Sequence, residues 1–386
     1  MFQPNQMGIY IHWPFCESRC PYCDFNAHVR EDLDQDIWAD AYVKALDYYK
    51  ERLPDNHVVS LFFGGGTPSL MTPETVAKII DKVQASWKIS NDIEITLEAN
   101  PTSVEQERFK GFQAAGVNRI SLGVQALNEQ DLKFLGRKHS LKDALTAIEL
   151  SQEYFDKSSF DLIYARPKQT LEAWEDELKY ALSLGNKHLS LYQLTIERNT
   201  PFYMRHERGE FSVPDDVHGA ELYLQTQNIM EEQGLPAYEV SNHAFCGHEC
   251  RHNQIYWYMA DYIGVGAGAH GRFIMDGQKY ATRDHAAPEI WLERVNERGV
   301  GSHEPEILDA NDRFDEAFIM GLRLRNGIAV SHLQSLSGVD FDTRIESHRL
   351  KEAKQNGWVL YDRERISLTR EGLLRLNALV PYLLKT

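Results

Sequence analysis

Positive charge, cysteine and long apolar runs are all scarce in this chain of 386 residues. Lys and Arg total 41 against 57 Asp and Glu, so the formal net charge of -16 disfavours broad contact with nucleic acid or an anionic membrane surface. No run approaches the roughly eighteen apolar residues of a membrane span. The opening stretch MFQPNQMGIYIHW lacks the basic and apolar regions of a signal peptide. We therefore expect a cytosolic protein with no membrane span and no nucleic-acid partner.

The few cysteines are unevenly placed, because Cys16, Cys20 and Cys23 form a compact C-x3-C-x2-C group. Clustered cysteines in a reducing compartment favour metal binding over disulfides, and the odd total of 5 points the same way. Three thiolates can converge on one metal or cluster, and a cubane iron–sulfur cluster held by three cysteines keeps one iron free for a small molecule. Two alternatives stay open: a structural zinc site with His12 or His28 as fourth ligand, or three unrelated buried cysteines.

Apolar strands alternate with amphipathic helices through the first half of the chain. Strands are predicted in MGIYIHWPF, VVSLFFGGGTP, DIEITLEANP, NRISLGVQAL, SFDLIYARP and HLSLYQLTIE. Helices are predicted over residues 33–53, 72–87, 104–115, about 143–155 and 170–184. This alternation gives parallel βα units, so we predict an α/β fold with an open or partial (β/α)6 barrel. Chemistry in such barrels gathers at the carboxyl ends of the strands.

The regular alternation weakens after about residue 200. A long helix is predicted over 216–233, and residues 238–272 are dense in glycine, histidine and aromatics. From about residue 312, helices precede a hairpin in GWVLYDRERISLT and a final helix over 371–384, an arrangement that resembles a winged-helix module. We therefore divide the chain into a core domain 1–240, a connecting region 241–310 and a smaller α+β C-terminal domain 311–386.

The segment FFGGGTPSL places consecutive glycines at the end of a predicted strand, where backbone can approach a ligand closely. It lacks the Gly-Lys-Ser/Thr of a phosphate-binding P-loop. Taken alone, the segment fits either a ligand contact or a tight βα turn. Following a C-x3-C-x2-C loop, it becomes a much more specific indication of a cofactor site.

Several motifs in order resemble the radical S-adenosylmethionine (SAM) family that contains anaerobic coproporphyrinogen III dehydrogenase, HemN, and the haem chaperone HemW. They span roughly residues 10–270 and are YIHWPFCESRCPYC, FFGGGTPSL, LEANP, ISLGVQ, LGRKH, the DLIY…P…QT stretch, LYQLTIE and HNQIYW. The resemblance implies that Cys16, Cys20 and Cys23 ligate a [4Fe-4S] cluster whose open iron chelates SAM.

The resemblance also implies a set of SAM contacts, with Tyr10 and Tyr22 contacting SAM or shielding the cluster. The implied set is Tyr10, Tyr22, Gly65, Gly66, Thr67, Glu98, Gln125, Arg137 and Asp161. Carboxylates suit hydroxyl or amino groups, and the planar guanidinium of Arg137 suits a carboxylate. Simpler roles stay open: Glu98 can cap a turn, Gln125 can be a hydrogen bonder inside the barrel, and Arg137 can be a solvated helix residue.

The chain departs from the family pattern at Ala165 and Arg166, which stand where the family usually has Gly and an apolar residue before Pro167. Alanine adds one methyl group, so we expect the loop after Asp161 to be slightly reshaped without loss of SAM binding.

Three features bear on the choice between dehydrogenase and chaperone. The dehydrogenase carries another cysteine two residues after the third, where this chain has Phe25, and an N-terminal extension, whereas here only fifteen residues precede Cys16. RHNQIYW resembles the HNxxYW motif of the chaperone group, in which His252 would ligate haem iron while Tyr256 and Trp257 stack on the macrocycle. In the alternative, His252 and its neighbours hydrogen-bond a turn and fill core. These features favour a HemW-like chaperone that carries haem to acceptor haemoproteins, with coproporphyrinogen III dehydrogenase as the alternative function.

Two further patterns and one further function class remain. CGHECRH interleaves Cys246 and Cys250 with histidines, which fits a second metal site or a pair of ordinary loop cysteines. The glycines of 264–271 lack the acidic residue and βα unit of a dinucleotide loop, so we expect close packing there. The remaining function class is a zinc-stabilised structural or interaction module.

Overall fold

The structure, a computed structural model, describes residues 2–30 and 33–385. Its strands are β1 Gln6–Trp13, β2 Phe15–Cys16, β3 His28–Val29, β4 His57–Gly65, β5 Lys88–Ala99, β6 Arg119–Gln125, β7 Lys157–Tyr164, β8 His188–Gln193, β9 Asn242–Ala244, β10 Asp261–Val265, β11 His270–Met275, β12 Gln278–Arg283, β13 Glu306–Ile307, β14 Ile328–Ala329, β15 Val359–Tyr361 and β16 Arg365–Leu368.

The helices of the first two thirds are α1 Gln35–Arg52, α2 Pro73–Ser86, α3 Ser103–Gln106, α4 Phe109–Ala114, α5 Glu129–Phe134, α6 Leu141–Tyr154, α7 Leu171–Ser183, α8 Pro201–Glu207, α9 Asp216–Glu232 and α10 Arg251–Trp257, with a 3-10 turn at Pro68–Leu70. Those that follow are α11 Pro288–Arg298, α12 Ala310–Gly321, α13 Val330–Ser337, α14 Phe341–Arg344, α15 Ser347–Gln355, α16 Arg370–Leu373 and α17 Leu376–Leu383.

Six parallel strands form the centre of the main sheet, in the order β1, β4, β5, β6, β7, β8. Helices cross between consecutive strands, as βα units require. The predicted α/β fold with a partial (β/α)6 barrel is therefore confirmed. The sheet continues beyond the prediction, because β10 adds in parallel to β1 and leads to antiparallel β11, β12 and β13, while β9 adds antiparallel to β8.

Helix starts follow their local sequence signals. Thr72 caps α2 by accepting from the Thr75 backbone N–H at 3.2 Å, and Pro73 occupies the first helical position. The helix predicted over 104–115 is instead two short helices, α3 and α4. The final helix predicted over 371–384 is likewise divided into α16 and α17.

Aromatic packing fixes the strand that leads into the cysteines. Trp13 at the end of β1 contacts Phe15 edge-on, with ring centroids 5.2 Å apart, and Phe15 contacts Trp38 of α1 at 4.8 Å. All three side chains are buried in the barrel's main apolar core. The backbone immediately before Cys16 is therefore held by large buried rings.

The C-terminal part has its own apolar core and a three-stranded sheet in the order β14, β16, β15. The predicted hairpin is the β15–β16 pair. Together with α12, α13 and α15 this is the smaller α+β domain that the sequence predicts. Met259, just after α10, packs in this second core, so α10 is joined to it. The boundaries at residues 240 and 310 stay predictions. Within residues 2–30 and 33–385, no helix combines the length and the apolar character needed to cross a membrane.

Candidate cofactor site and the HNxxYW helix

The cysteine loop is closed at its base by a small two-stranded sheet. Phe15 pairs with His28 and Cys16 pairs with Val29, so the chain leaves and returns at neighbouring points. At the far side, the Asn26 side-chain amide donates to the Ala267 carbonyl at 2.8 Å and to that of Ala286 at 2.9 Å. These contacts fix a segment that has little regular structure of its own.

The loop forms one wall of a cavity of about 580 Å³ at the carboxyl ends of the barrel strands. Most of the predicted cofactor residues line this cavity. They are Cys16, Cys20, Cys23, Tyr22, Gly65, Gly66, Thr67, Glu98, Gln125, Arg137 and Asp161. The structure thus brings together residues spread over about 150 positions of the sequence, as the carboxyl-end rule for barrels leads one to expect.

Tyr10 is the one predicted SAM contact that lies outside the cavity lining. Its hydroxyl is 3.0 Å from His12 Nδ1, and its ring stacks on Phe62 with centroids 6.1 Å apart. A Cβ on Gly64 would stand only 2.8 Å from the Tyr10 ring. Tyr10 therefore supports the glycine turn from below, and its contact with SAM stays a prediction.

The glycine turn is pressed against the backbone of the cysteine loop. The Gly66 N–H donates to the Trp13 carbonyl at 2.7 Å, and the Thr67 N–H donates to the Phe15 carbonyl at 2.8 Å. A Cβ on Gly66 would lie 2.6 Å from that Phe15 oxygen, so no larger residue fits. Gly65 has φ +112°, in the region that favours glycine. The turn is therefore tight and also lines the cavity.

Two carboxyl groups project into the cavity from neighbouring regions of the sheet. Burial, followed by the nearby charge of Asp161, raises the pKa of Glu98 to about 8. Burial raises the pKa of Asp161 to about 6, although hydrogen bonds from Ser190 and Ser121 oppose the rise. Glu98 Oε2 also accepts from the Gly65 N–H at 3.2 Å. A bound cationic group would favour the ionised form of both carboxyls.

Arg137 connects the cavity to the cysteines. Its Nη1 donates to Cys20 Sγ at 3.2 Å and its Nη2 donates to the Gly123 carbonyl at 2.7 Å, whereas its buried Nε has no partner. Thr67 Oγ1 donates to Cys16 Sγ at 3.3 Å. Burial raises the pKa of Cys16 to about 11, so a metal that binds this thiol must displace its proton.

Gln125 and Tyr22 complete the wall. Gln125 has φ +75° at the end of β6, and a Cβ on Gly123 would be 3.2 Å from its Nε2 and 3.4 Å from Arg137 Nη2. The two side chains therefore converge above Gly123. The Tyr22 ring packs 6.2 Å from that of Phe202. Arg137 lies beyond the end of α5, and its guanidinium donates to Cys20, Gly123 and Asn100, so the simpler role of a solvated helix residue is wrong.

The histidines proposed as zinc ligands have other partners. His12 Nδ1 is 3.0 Å from the Tyr10 hydroxyl and His12 Nε2 is 3.0 Å from the Asn26 carbonyl, while His28 Nε2 is 3.2 Å from Asn26 Oδ1. Cys250 is buried with Sγ 3.6 Å from Glu94 Oε1, and Cys246 is exposed. In the part of the chain that the structure describes, no three His, Cys, Asp or Glu side chains are arranged around one metal ion.

His252 lies at the opposite, amino-terminal end of the barrel. Its Nδ1 is 2.8 Å from Ser60 Oγ, its Nε2 is 2.7 Å from the Tyr256 hydroxyl, and its ring stacks on Phe62 with centroids 5.0 Å apart. It is 1% exposed, and burial lowers its pKa to about 3. This arrangement fits the alternative in which the motif fills core, and haem ligation by His252 stays a prediction.

Sequence reasoning missed Glu94, which holds this helix in place. Glu94 Oε1 accepts from the backbone N–H of Arg251 at 2.7 Å and from that of His252 at 3.4 Å, at the start of α10. The other end of α10 is held by Arg323, whose guanidinium lies 5.0 Å from the Trp257 ring centroid. A buried acidic residue in an otherwise apolar strand was the available signal.

Further along the chain, the expected close packing of the glycines in 264–271 is confirmed. A Cβ on Gly264 would lie 2.1 Å from the His270 carbonyl oxygen, and one on Gly266 would lie 2.2 Å from that of His12. The family departure is also accommodated: Ala165 adopts φ +56°, and buried Arg166 pairs with Glu177 and, at 3.1 Å, with Asp131.

Family models match two parts of the chain: the Radical SAM superfamily over residues 10–181 and the HemN C-terminal domain over residues 308–375. Heme chaperone HemW of Escherichia coli is 35% identical over 381 residues, covering 98% of each chain. Radical S-adenosyl methionine domain-containing protein 1, mitochondrial, of Danio rerio is 35% identical over 386 residues, covering 98% of this chain and 87% of that protein.

Among solved structures, coproporphyrinogen III oxidase (HemN) of Escherichia coli superposes with a TM-score of 0.82 at 21% identity, covering 98% of this chain and 90% of that one. At this identity the likeness shows the shared fold alone. The identity and coverage of the sequence relatives, together with both family models, show that the chain belongs to the radical SAM family that includes HemN and HemW.

Proposed function

We propose that this protein is a HemW-like haem chaperone that binds a [4Fe-4S] cluster, SAM and haem, and delivers haem to acceptor haemoproteins. One observation carries the cofactor part: Cys16, Cys20 and Cys23 share a cavity with Glu98, Asp161 and Arg137. The proposal that haem is the cargo is supported by relatives that are named heme chaperone HemW and match 98% of this chain.

The residues present fit both cofactors. Cys16, Cys20 and Cys23 would supply the soft sulfur ligands of a [4Fe-4S] cluster, and a bound cluster would supply an iron that can bind SAM. Arg137 lines the cavity, and its planar guanidinium suits an anionic group of the ligand. Glu98 and Asp161, whose pKa values are raised, can accept hydrogen bonds from its amino or hydroxyl groups.

Haem binding by His252 would require a rearrangement of α10. Both ring nitrogens of His252 are hydrogen-bonded and the side chain is buried. Ligation of haem iron by His252 therefore requires the imidazole to give up one of these bonds and to become exposed. Tyr256 and Trp257, which follow on the same helix, would then be available to stack on the macrocycle.

The alternative function is oxygen-independent coproporphyrinogen III dehydrogenase. The HemN C-terminal domain model and the HemN-like fold favour it as second candidate. Phe25 argues against it: this side chain, 59% exposed, borders the cavity where the dehydrogenase pattern has a cysteine. A phenyl ring cannot ligate iron.

The test is anaerobic reconstitution followed by haem titration and transfer of haem to candidate apo-haemoproteins. We expect a Soret band to appear on titration and to move to the acceptor, and His252→Ala to weaken haem binding at least about tenfold, or about 1.4 kcal/mol. His348→Ala is the matched control, because His348 is exposed.

Each part of the proposal can fail separately. Conversion of coproporphyrinogen III to protoporphyrinogen with release of carbon dioxide would overturn the chaperone proposal. Haem binding unaffected by His252→Ala would remove the assignment of the haem ligand. Colourless protein that contains zinc without iron after anaerobic purification would favour a structural module. A cytosolic location is part of the proposal and is tested by fractionation, because some relatives are named mitochondrial.

A further inference from the structure

Two of the three cysteines receive hydrogen bonds from side chains outside the cysteine loop. Thr67, which follows β4, donates from Oγ1 to Cys16 Sγ at 3.3 Å. Arg137, which follows α5, donates from Nη1 to Cys20 Sγ at 3.2 Å. The donors come from different βα units, so their local sequences do not fix the positions of the two side chains relative to each other.

Asn100 joins the two donors. Its Nδ2 donates to Thr67 Oγ1 at 3.2 Å, and its Oδ1 accepts from Arg137 Nη2. The orientation of the amide is determined chemically, since a guanidinium has no acceptor and must face the amide oxygen. Because Thr67 accepts from Asn100, its own hydroxyl hydrogen is directed to Cys16. An unbroken chain therefore runs from Cys16 through Thr67, Asn100 and Arg137 to Cys20.

The position of Asn100 is itself fixed by buried contacts. Its backbone N–H donates to Glu105 Oε2 at 2.7 Å. Glu105 is 3% exposed and also accepts from the hydroxyls of Ser69 and of Thr102, the latter at 3.1 Å. The side chain of Asn100 thus projects from a rigid turn at the end of β5, which a connector between two donors requires.

We propose that Asn100 is a positioning residue for the cluster, which holds Thr67 and Arg137 against Cys16 and Cys20 and thereby raises the reduction potential of the [4Fe-4S]2+/1+ couple. Hydrogen bonds to cluster sulfur stabilise negative charge, and the reduced cluster carries one more electron than the oxidised one. This inference rests on the proposed function, because it requires the three cysteines to hold a cluster.

The test compares full-length reconstituted wild type with Asn100→Ala in a potentiometric titration followed by electron paramagnetic resonance of the reduced cluster. We expect the ratio of reduced to oxidised cluster at fixed potential to fall about tenfold, a shift of about 59 mV for a one-electron couple. Asn118→Ala is the matched control, since Asn118 also bonds β5, through the Ile93 carbonyl and the Ile95 N–H, but does not line the cavity. It should leave the potential unchanged.

A double-variant comparison separates positioning from general loosening of the fold. Thr67→Val removes the hydroxyl that donates to Cys16, whereas Thr67→Ser keeps it and should keep the potential. If Asn100 acts through Thr67, the shift of Asn100→Ala combined with Thr67→Val will be smaller than the sum of the single shifts. An additive sum, or an unchanged potential in Asn100→Ala, would overturn the proposal.

The outcomes also separate this inference from the proposed function. Wild-type protein that takes up no [4Fe-4S] cluster defeats both, whereas a normal wild-type cluster with no shift in the variant defeats only the role of Asn100. Asn100→Ser, which is too short to reach both donors, gives a second measurement with a smaller expected shift in the same direction. Loss of the cluster from both Asn100 variants, with the fold and the Asn118→Ala cluster intact, supports the network.

Discussion

The two ends of the barrel both contain buried polar side chains, yet the surroundings of these side chains differ. At the carboxyl end, Arg137 Nε is unpaired and burial holds the pKa of Glu98 well above its ordinary value. At the amino end, both ring nitrogens of His252 are hydrogen-bonded, and Glu94 satisfies the first backbone N–H groups of α10. Buried polar atoms without a partner occur at both ends, since Trp257 Nε1 in α10 also lacks one, whereas Arg137 and Glu98 in addition line a cavity of about 580 Å³. The cavity, rather than the unpaired polar atoms alone, supports our proposal of a binding site at the carboxyl end.

The largest expected effect comes from replacing a cysteine at the carboxyl end. We expect Cys16→Ser to abolish the [4Fe-4S] cluster, because serine oxygen is a poor substitute for a thiolate and two cysteines cannot hold the cluster in the same geometry. Iron and sulfide analysis after anaerobic reconstitution, with the absorption spectrum, measures the loss.

The matched control for that prediction is Cys246→Ser, which changes an exposed cysteine outside the cavity. It should keep iron content and spectrum at wild-type values. A full cluster in Cys16→Ser, or equal loss in both variants, would show that the cavity is not the cluster site and would remove the contrast between the two ends.

Much of this contrast could be predicted from the sequence, and the reason differs for each part. The period-2 apolar segments and the capping signal at Thr72 depend on local contacts, so the six barrel strands and the start of α2 could be predicted from the sequence. Their carboxyl ends then placed Glu98 and Asp161 in one cavity by the geometry of parallel sheets.

The structural features that could not be predicted from the sequence depend on contacts between residues far apart in the chain. Glu94 accepts from the first backbone N–H groups of α10, 157 positions further along the chain, and this contact helps to hold His252 in the core. Asn100 was visible within the LEANP motif, but its bonds to Thr67 and Arg137 follow from three separate turns meeting above the barrel. The division of the helix predicted over 104–115 into α3 and α4 is a further such case, because Arg108 at the break donates to the distant Ser69 and Leu70 carbonyls.

An intermediate effect should appear in the pH dependence of stability. Glu98 has a folded pKa of about 8, above its ordinary value of 4.5, so the folded state binds more protons and stability falls as pH rises from about 4.5 to about 8. We expect Glu98→Gln to be more stable than wild type at about pH 8, by roughly 1–3 kcal/mol after allowance for exposure to the cavity. Denaturant unfolding of the cluster-free protein at several pH values measures the difference.

His252, at the amino end, is expected to give the opposite pH dependence of stability. Its folded pKa of about 3 lies below the ordinary 6.5, so stability is lost as pH falls from about 6.5 towards 3. His252→Gln should therefore lessen the acid-side loss and leave the alkaline-side loss unchanged, while Glu98→Gln does the reverse. If either variant altered both sides equally, the two ends of the barrel would not titrate independently.

The smallest expected effect concerns two non-glycine residues with left-handed backbone, one at each end. Ala165, in the loop after β7, has φ +56°, and Met259, just after α10, has φ +53°. Ala165→Gly should raise the free energy of unfolding by at most about 0.5 kcal/mol, because relief of the left-handed strain only slightly exceeds the added entropy of the unfolded chain and the loss of a buried methyl group. Thermal or denaturant unfolding measures it.

Met259→Gly relieves the same strain but should destabilise by about 2 kcal/mol or more, because the Met259 side chain is 5% exposed and packs in the C-terminal core. The two variants therefore change the free energy of unfolding in opposite directions, although both relieve the same backbone strain. At the carboxyl end the side chain is a single methyl group, so less packing is lost than with Met259 and relief of the strain is the larger contribution. At the amino end the Met259 side chain packs α10 against the C-terminal domain. If both variants changed the free energy of unfolding in the same direction, this packing would contribute nothing to stability.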